Sequence, residues 1–497
     1  MVARVLCFAL GTCYFVSMSL DISKRDLDEI SSRAATLVSE YFATIRERPV
    51  IAPNHAGKTK QSVNLELPVE GRPLDQLFDE CRTIMDLSRH NGHPRFFGYV
   101  ASPSTPIGAY ADLIASALNA NITCWRSAPG GTEIEQLVVR WLGSLIRYDD
   151  NARGLLTSGG SMANMIALLI ASRRKGGVAA ARKGLWNAGA PMTIYASEEV
   201  HMSVPKAADI LGFGRDQVRV VACDERQRMR IDDLVTRINA DLSNGLRPFC
   251  VVASAGTVNT GAVDPLAEIA DVAAEFDLWL HVDGAYGAPA AMVQGKAALF
   301  AGLERADSVS LDPHKWLYVP VDAGCLLFRN PAAAAAAFST DEADYIKVHG
   351  LSEDAAFAYW DYGVELSRRF RALKVWLTLG YYGARRLAEA IGDDISLAAY
   401  LGELVSQADD CELLAPVELS ICCFRYVRQD TGESELNRLN EQIMAAVQKD
   451  GRAYLSNATV NGKFALRTCI TNFRTTKADI EQTLAVVREV ARELGHG

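Results

Sequence analysis

The chain has eleven cysteines but no CxxC pair, eight histidines but no HExxH or comparable close-spaced ligand set, and no run rich in lysine or arginine. The odd cysteine count without CxxC argues against a disulfide framework. It points instead to reduced core thiols of a cytoplasmic protein, as in the apolar run "LSICCFRYV" that carries Cys422 and Cys423. Without a histidine ligand set, neither a catalytic nor a structural metal is expected. A formal net charge of -9 with no basic run excludes a nucleic-acid-binding face. Internal repeats and low-complexity linkers are also missing, apart from the alanine-rich "PAAAAAAF" at 331–338. No stretch suits a bilayer span, so no membrane partner is expected. The nearest approach, "MVARVLCFALGTCYFVSMSL", is short and ends without a small-x-small cleavage site. Residues 1–18 are therefore read as a disordered extension or an over-long start ahead of Met18, rather than an export signal.

What is present is an ordinary globular composition, 49% hydrophobic and 22% charged, in 497 residues. That length suits one large domain with smaller appendages. Residues 19–105 carry apolar residues at helical spacing, as in "SKRDLDEISSRAATLVSEYF" and "PLDQLFDECRTIMDLS". From 106 to 385, helical patterns alternate with the short apolar runs "GLLTS", "MTIYAS", "VRVVAC", "FCVVASAG", "LWLHVDG", "SVSLD" and "GCLLFR". That alternation predicts a mostly parallel seven-stranded sheet flanked by helices. Residues 386–497, with a helix over "LAAYLGELVSQ", strands over "LSICCFRYV" and "GKFALRTCI" and a closing helix, predict a small α+β domain.

In an open α/β sheet, ligands collect beyond the carboxyl ends of the strands, and several of the runs end in residues suited to chemistry. "LWLHVDGAYG" ends in Asp283, followed by Ala285. Such an aspartate is a common turn or helix cap, and equally a carboxylate for a cationic ring nitrogen. "LLTSGGSMANM" leads through Gly159, Gly160 and Ser161 into a helix whose first N–H groups could cradle a phosphate; a plain N-cap explains the same residues. His201 follows "IYAS", while Gly256, Thr257 and Thr260 follow "VVASA"; a structural histidine and a turn are the bland alternatives. Lys315 in "SVSLDPHKWLYVP" is the hardest to explain as packing, since an ammonium is costly to strip of water. Near a phosphate site and a carboxylate, such a lysine suits condensation with an aldehyde.

"HVDGAYG" followed by "DPHKW" resembles the pyridoxal-phosphate-dependent group II amino-acid decarboxylases. "HPRFFGY", "WRSAPGGTEIE", "TSGGSMAN", "LSRRFRALKVW" and "NGKFALR" fall in the family's order, from about residue 25 to the C-terminus. The aromatic-L-amino-acid decarboxylases are the nearest subgroup. The resemblance implies the fold-type I architecture of pyridoxal-phosphate enzymes, decarboxylation of an aromatic L-amino acid to its amine, and covalent attachment of the cofactor through Lys315. It implies that Asp283 faces the ring nitrogen, that His201 stacks on one face of the ring and that Ala285 packs on the other. Gly160, Ser161, Asp312 and His314 then lie near the phosphate or the lysine, and Thr257 near the ring. Asp312 stands where animal members have asparagine.

"DEADYIKVHG" resembles the family's mobile loop, and Tyr345 matches the tyrosine that protonates the product carbanion. Relatives with phenylalanine there release an aldehyde. Phe97, Tyr99 and Val100 match a segment lining the substrate side-chain pocket, although core packing explains Phe97 equally well. Asn91 replaces a pocket tryptophan of animal members, and Ser367 matches a site where serine accompanies phenolic substrates in plants. Tyrosine, dopa or phenylalanine are expected as substrates, with tryptophan and 5-hydroxytryptophan next. An acidic-amino-acid decarboxylase would need a cationic pocket, for which Arg126 and Arg425 are available. A non-enzymatic binding protein would have little reason to keep Lys315, Asp283 and His201 together. The family pattern also implies a homodimer with active sites at the interface, wrapped by the helical segment before residue 105.

Overall fold

The computed structural model describes residues 20–52, 56–63, 66–149, 152–185, 189–338 and 357–495. By internal contacts the chain divides into two compact units, Met1–Glu47 with Asn54–Ser88 and Arg48–Pro53 with Arg89–Gly497. In the first, the helices Lys24–Thr44 and Leu74–Leu87 contain no buried residue. Ser23 caps the earlier helix, its hydroxyl accepting from the Asp26 amide at 3.2 Å.

The second unit is built on seven strands: β1 (Arg153–Thr157), β2 (Met192–Ser197), β3 (Val218–Val221), β4 (Arg247–Ser254), β5 (Trp279–Asp283), β6 (Ser308–Leu311) and β7 (Gly324–Phe328). They lie in the order β1-β7-β6-β5-β4-β2-β3. All seven predicted strands are present. Strands β2 to β6 pair in parallel, while β7 runs antiparallel to both β1 and β6. Two reversals cancel, so β1 points the same way as β6 and its carboxyl end lies on the same edge. The near-continuous burial of β2, β4, β5, β6 and β7 is what a sheet covered on both faces requires.

A second, antiparallel sheet comprises β8 (Cys411–Leu413), β9 (Ile421–Tyr426), β10 (Ser456–Val460) and β11 (Lys463–Cys469), in the order β10-β11-β9-β8. It has a core of its own, including Phe97, Cys422, Phe424 and Leu466. The segment "LAAYLGELVSQ" closes the helical stretch Ala372–Ser406, which a non-helical backbone at Gly383 (φ 74, ψ 155) divides into two helices. The nine described cysteines are all unpaired. Among the described residues no helix is long and apolar enough to cross a membrane.

Candidate active site

Five strand ends open into one cavity of about 350 Å3, lined by Gly160, Ser161, His201, Thr257, Asp283, Ala285, Asp312, His314 and Lys315 together with Asn164 and Glu199. Lys315 lies in a four-residue helix, Pro313–Trp316, directly after β6. Its neighbours hold it there. Trp316 is fully buried, stacks on Tyr286 with ring centroids 5.0 Å apart and gives its indole N–H to Asp394 Oδ2 at 2.9 Å. Tyr318 donates to the same oxygen at 2.7 Å. Burial pushes the Asp394 carboxyl up to about 7.

The Lys315 side chain is 20% exposed, and its Nζ lies 3.0 Å from Asp312 Oδ2. Burial alone would lower its pKa, but the carboxylates of Asp312 and Asp283 outweigh that and hold the ammonium above the ordinary lysine value. Asp283, at the end of β5, accepts three hydrogen bonds: from Asn164 Nδ2 at 2.7 Å, Ser310 Oγ at 3.0 Å and the Ala285 amide at 3.1 Å. Burial pulls this carboxyl upward, yet the Lys315 charge, together with the Asn164 hydrogen bond, holds it below the usual carboxylate range. It is a buried anion with one face open to the cavity.

Asn164 is the hub of a hydrogen-bond chain whose proton positions follow from its ends. Trp279 Nε1, which can only donate, binds Ser308 Oγ at 2.9 Å. Asp283 can only accept, so the Asn164 amide nitrogen faces it, and Asn164 Oδ1 must accept from His281 Nε2 at 3.0 Å. His281 Nδ1 therefore accepts from Ser308 Oγ at 2.9 Å; burial pushes this imidazole down to about 4, which keeps it neutral. The second Asn164 N–H goes to Ser203 Oγ at 2.9 Å. The Ser203 hydroxyl in turn donates to His201 Nδ1 at 2.7 Å, and the Ser203 amide donates to the same nitrogen at 3.2 Å. His201 Nδ1 is thus unprotonated, and burial lowers the imidazole below its ordinary value.

The helix Gly160–Lys183 begins at the cavity, and the first-turn amides of a helix have no intrahelical acceptor. A Cβ on Gly160 would sit 2.9 Å from Ala285 Cβ and 3.0 Å from Asp312 Oδ2, so nothing larger fits. Arg467, 2% exposed, gives Nε to the carbonyl of Val258 at 2.8 Å and Nη1 to the carbonyl of Tyr99 at 2.8 Å. It thereby ties the cavity wall to the "HPRFFGY" segment.

The residues expected around a substrate side chain are elsewhere in this single chain. Phe97, 1% exposed, packs in the core of the second sheet, the alternative its burial supports. Tyr99 is half exposed at φ 58, against Tyr454 and under the Arg89 guanidinium. Val100 packs at the edge of the large core, and Ser367 is exposed. Tyr345 lies outside the described residues, as does the segment 1–18. Arg126 is exposed and does not line the cavity, and Arg425 is taken up by Glu412 and Glu433. Sequence reasoning missed Asn164, Ser203, Ser310, His281 and Glu199. The signal for Asn164 was slight: a short polar side chain one turn inside an apolar helix.

A cavity that sets an amine opposite a buried carboxylate, beside a helix start, defines an enzyme that works through an aldehyde cofactor with a basic ring. Residues 56–427 match the pyridoxal-dependent decarboxylase conserved domain. The chain is 34% identical over 481 residues to an aromatic-L-amino-acid decarboxylase of Bacillus atrophaeus, covering 96% of this chain and 98% of that protein. In structure it is similar to a TDC of Oryza sativa solved with PLP and tryptamine, with TM-score 0.87, 27% identity and coverage of 95% and 99%. It is also similar to 4-hydroxyphenylacetaldehyde synthase of Rhodiola rosea, with TM-score 0.85, 27% identity and the same coverage. The chain belongs to the pyridoxal-dependent decarboxylase family, and is a carboxy-lyase that uses pyridoxal phosphate.

The residues fit that cofactor. The open helix start suits its phosphate, Lys315 its aldehyde carbon and the anionic Asp283 its ring nitrogen, within one cavity. When bound, the cofactor supplies a sink for the electron pair left at Cα as carbon dioxide departs. The chain's part is to keep Asp283 ionised and to fix the His201 tautomer through Ser203.

Proposed function

We propose that this protein decarboxylates an aromatic L-amino acid to the corresponding amine. The observation that carries the reading is that Lys315, Asp283 and His201 line one cavity, in a chain whose curated relative from Bacillus atrophaeus bears that activity in its name. Lys315 carries the cofactor, Asp283 keeps its ring nitrogen protonated, and His201 and Ala285 cover its two faces. Gly160, Ser161 and His314 attend the phosphate, Asp312 the lysine, and Thr257 the ring. Tyr345 returns the proton to Cα. Tyr99, Val100 and Ser367 are the residues to vary first for substrate preference. Arg425 offers an acidic substrate no free cation, because its guanidinium is taken up by Glu412 and Glu433.

Two helices without a buried residue, Lys24–Thr44 and Leu74–Leu87, support a homodimer in which such helices find their cover. The unpaired cysteines support a cytoplasmic setting.

Likeness to an aldehyde synthase favours one second reading, in which the carbanion is oxidised rather than protonated. A substrate panel of the protein amino acids, dopa and 5-hydroxytryptophan, with amine and hydrogen peroxide both quantified, tests the choice. Aromatic substrates should win in kcat/KM and give amine without peroxide; faster turnover of glutamate, or peroxide equal to substrate consumed, would overturn the reading. Lys315→Ala should abolish both turnover and the visible absorbance of the loaded enzyme, and a variant that kept that band would exclude Lys315 as the attachment point.

A further inference from the structure

Asp312 is in an unusual position for a carboxylate. It precedes the helix Pro313–Trp316, where an aspartate ordinarily accepts a helix amide, yet its side chain makes no capping bond. It is 1% exposed, and Oδ1 has no hydrogen-bond partner among the described residues. Oδ2 faces Lys315 Nζ at 3.0 Å, and His314 Nε2 is farther off at 3.8 Å. The other groups facing Lys315 are Asp283, Cys469, His201 and His314. Of the acidic groups described, Asp312 alone is within 4 Å of the amine. Both imidazoles are lowered by burial and stay neutral, so neither competes for the ion pair.

We propose that Asp312 is a catalytic residue of amine exchange: it captures Lys315 as an ammonium ion when a substrate amine displaces the lysine, and so tilts the exchange toward bound substrate. The proposal rests on the reading of Lys315 given above. In the exchange, the carbon–nitrogen double bond to Nζ breaks as the one to the substrate nitrogen forms. The two protons shed by the substrate ammonium end on Nζ, and nothing is oxidised or reduced. The freed lysine then carries the positive charge that the substrate nitrogen brought in, and a carboxylate already at 3.0 Å stabilises it without rearrangement. The same contact opposes attachment of the cofactor, because linking Lys315 to the aldehyde carbon gives up the ion pair. Asp312 thus weakens one equilibrium and strengthens the other by the same interaction.

That opposition is the test. Asp312→Asn keeps the shape and removes the charge. In the pyridoxal-phosphate-loaded enzyme, exchange is followed by absorbance with methylamine, which has neither a carboxylate nor a side chain. The variant should need about tenfold more methylamine for half exchange, the worth of one hydrogen bond to a charged group, while holding pyridoxal phosphate as tightly as the wild type or more tightly. Asp312→Ser should move both quantities in the same directions, and covers the case in which the asparagine variant does not fold. An unchanged methylamine midpoint, or a loss in both equilibria as general damage would give, overturns the proposal. If the wild type gains no visible band that Lys315→Ala removes, the reading of Lys315 fails instead.

Discussion

Substituting Asn164 by aspartate changes two hydrogen-bond donors for a charge and almost nothing else. Asn164 Nδ2 lies 2.7 Å from Asp283 Oδ2, so Asn164→Asp would set two carboxylate oxygens face to face at that distance. At an effective dielectric constant of about 20 their repulsion is about 6 kcal/mol. At about 1.4 kcal/mol for each pH unit, this raises the second ionisation of the pair by about four units. The folded variant should then hold a shared proton to about pH 8, whereas the unfolded chain releases it near pH 4. Between those limits the folded state binds more protons than the unfolded, so stability falls as pH rises, by at most about 1.4 kcal/mol per unit. The wild type behaves oppositely: its depressed Asp283 contributes stability that is complete above the ordinary carboxylate range and is lost only in acid. Urea unfolding from pH 5 to 8, followed by tryptophan fluorescence with and without cofactor, should show the two proteins diverging. Asn164→Ala, which removes the donors without adding a charge, should run parallel to the wild type. Parallel curves for Asn164→Asp would mean that the two side chains do not face each other, and the hydrogen-bond chain deduced above would fall with them.

Tyr345→Phe should shift products from amine toward aldehyde, hydrogen peroxide and ammonia, and an unchanged amine yield would move the acid elsewhere. Arg368, 1% exposed at its side chain, pairs with Glu135, donates to the carbonyls of Ile122 and Leu156 at 2.8 Å and lies 4.0 Å over the Tyr359 ring. Arg368→Ala should cost about 3–5 kcal/mol in urea unfolding by leaving Glu135 buried without its counter-ion, and a loss below about 1 kcal/mol would refute that account.

The seven strands of the large sheet were legible because each is a short apolar run closed by glycine or a polar turn, long enough for a strand and too short for a buried helix. Strands β8 and β10 were not. β10, "SNATV", carries its buried side chains on alternate residues that are mostly small or polar, and β8 is three residues long. The change of pattern near 386 lies close to Gly383, whose non-helical backbone (φ 74, ψ 155) separates two helical segments. At the site, residues at strand ends next to glycine stood out, and Lys315, Asp283, His201 and the phosphate-side residues do share a cavity. The partners behind them did not stand out: Asn164, Ser310 and His281 act through contacts between residues far apart in the chain, such as the 119 positions separating Asn164 from Asp283. No local pattern encodes such a pair.

Asp394 ties Trp316 and Tyr318, both just after Lys315, to the backbone amide of Asn472 just beyond β11. Lys315 is thus moored from behind to the backbone just past the smaller sheet, through a carboxyl that lines no part of the cavity. Engineering that grafts a foreign C-terminal region onto this scaffold would cut that mooring even with every cavity residue kept. A seam for exchanging modules keeps Trp316, Tyr318, Asp394 and Asn472 from one parent only if it runs ahead of residue 316 or beyond residue 472.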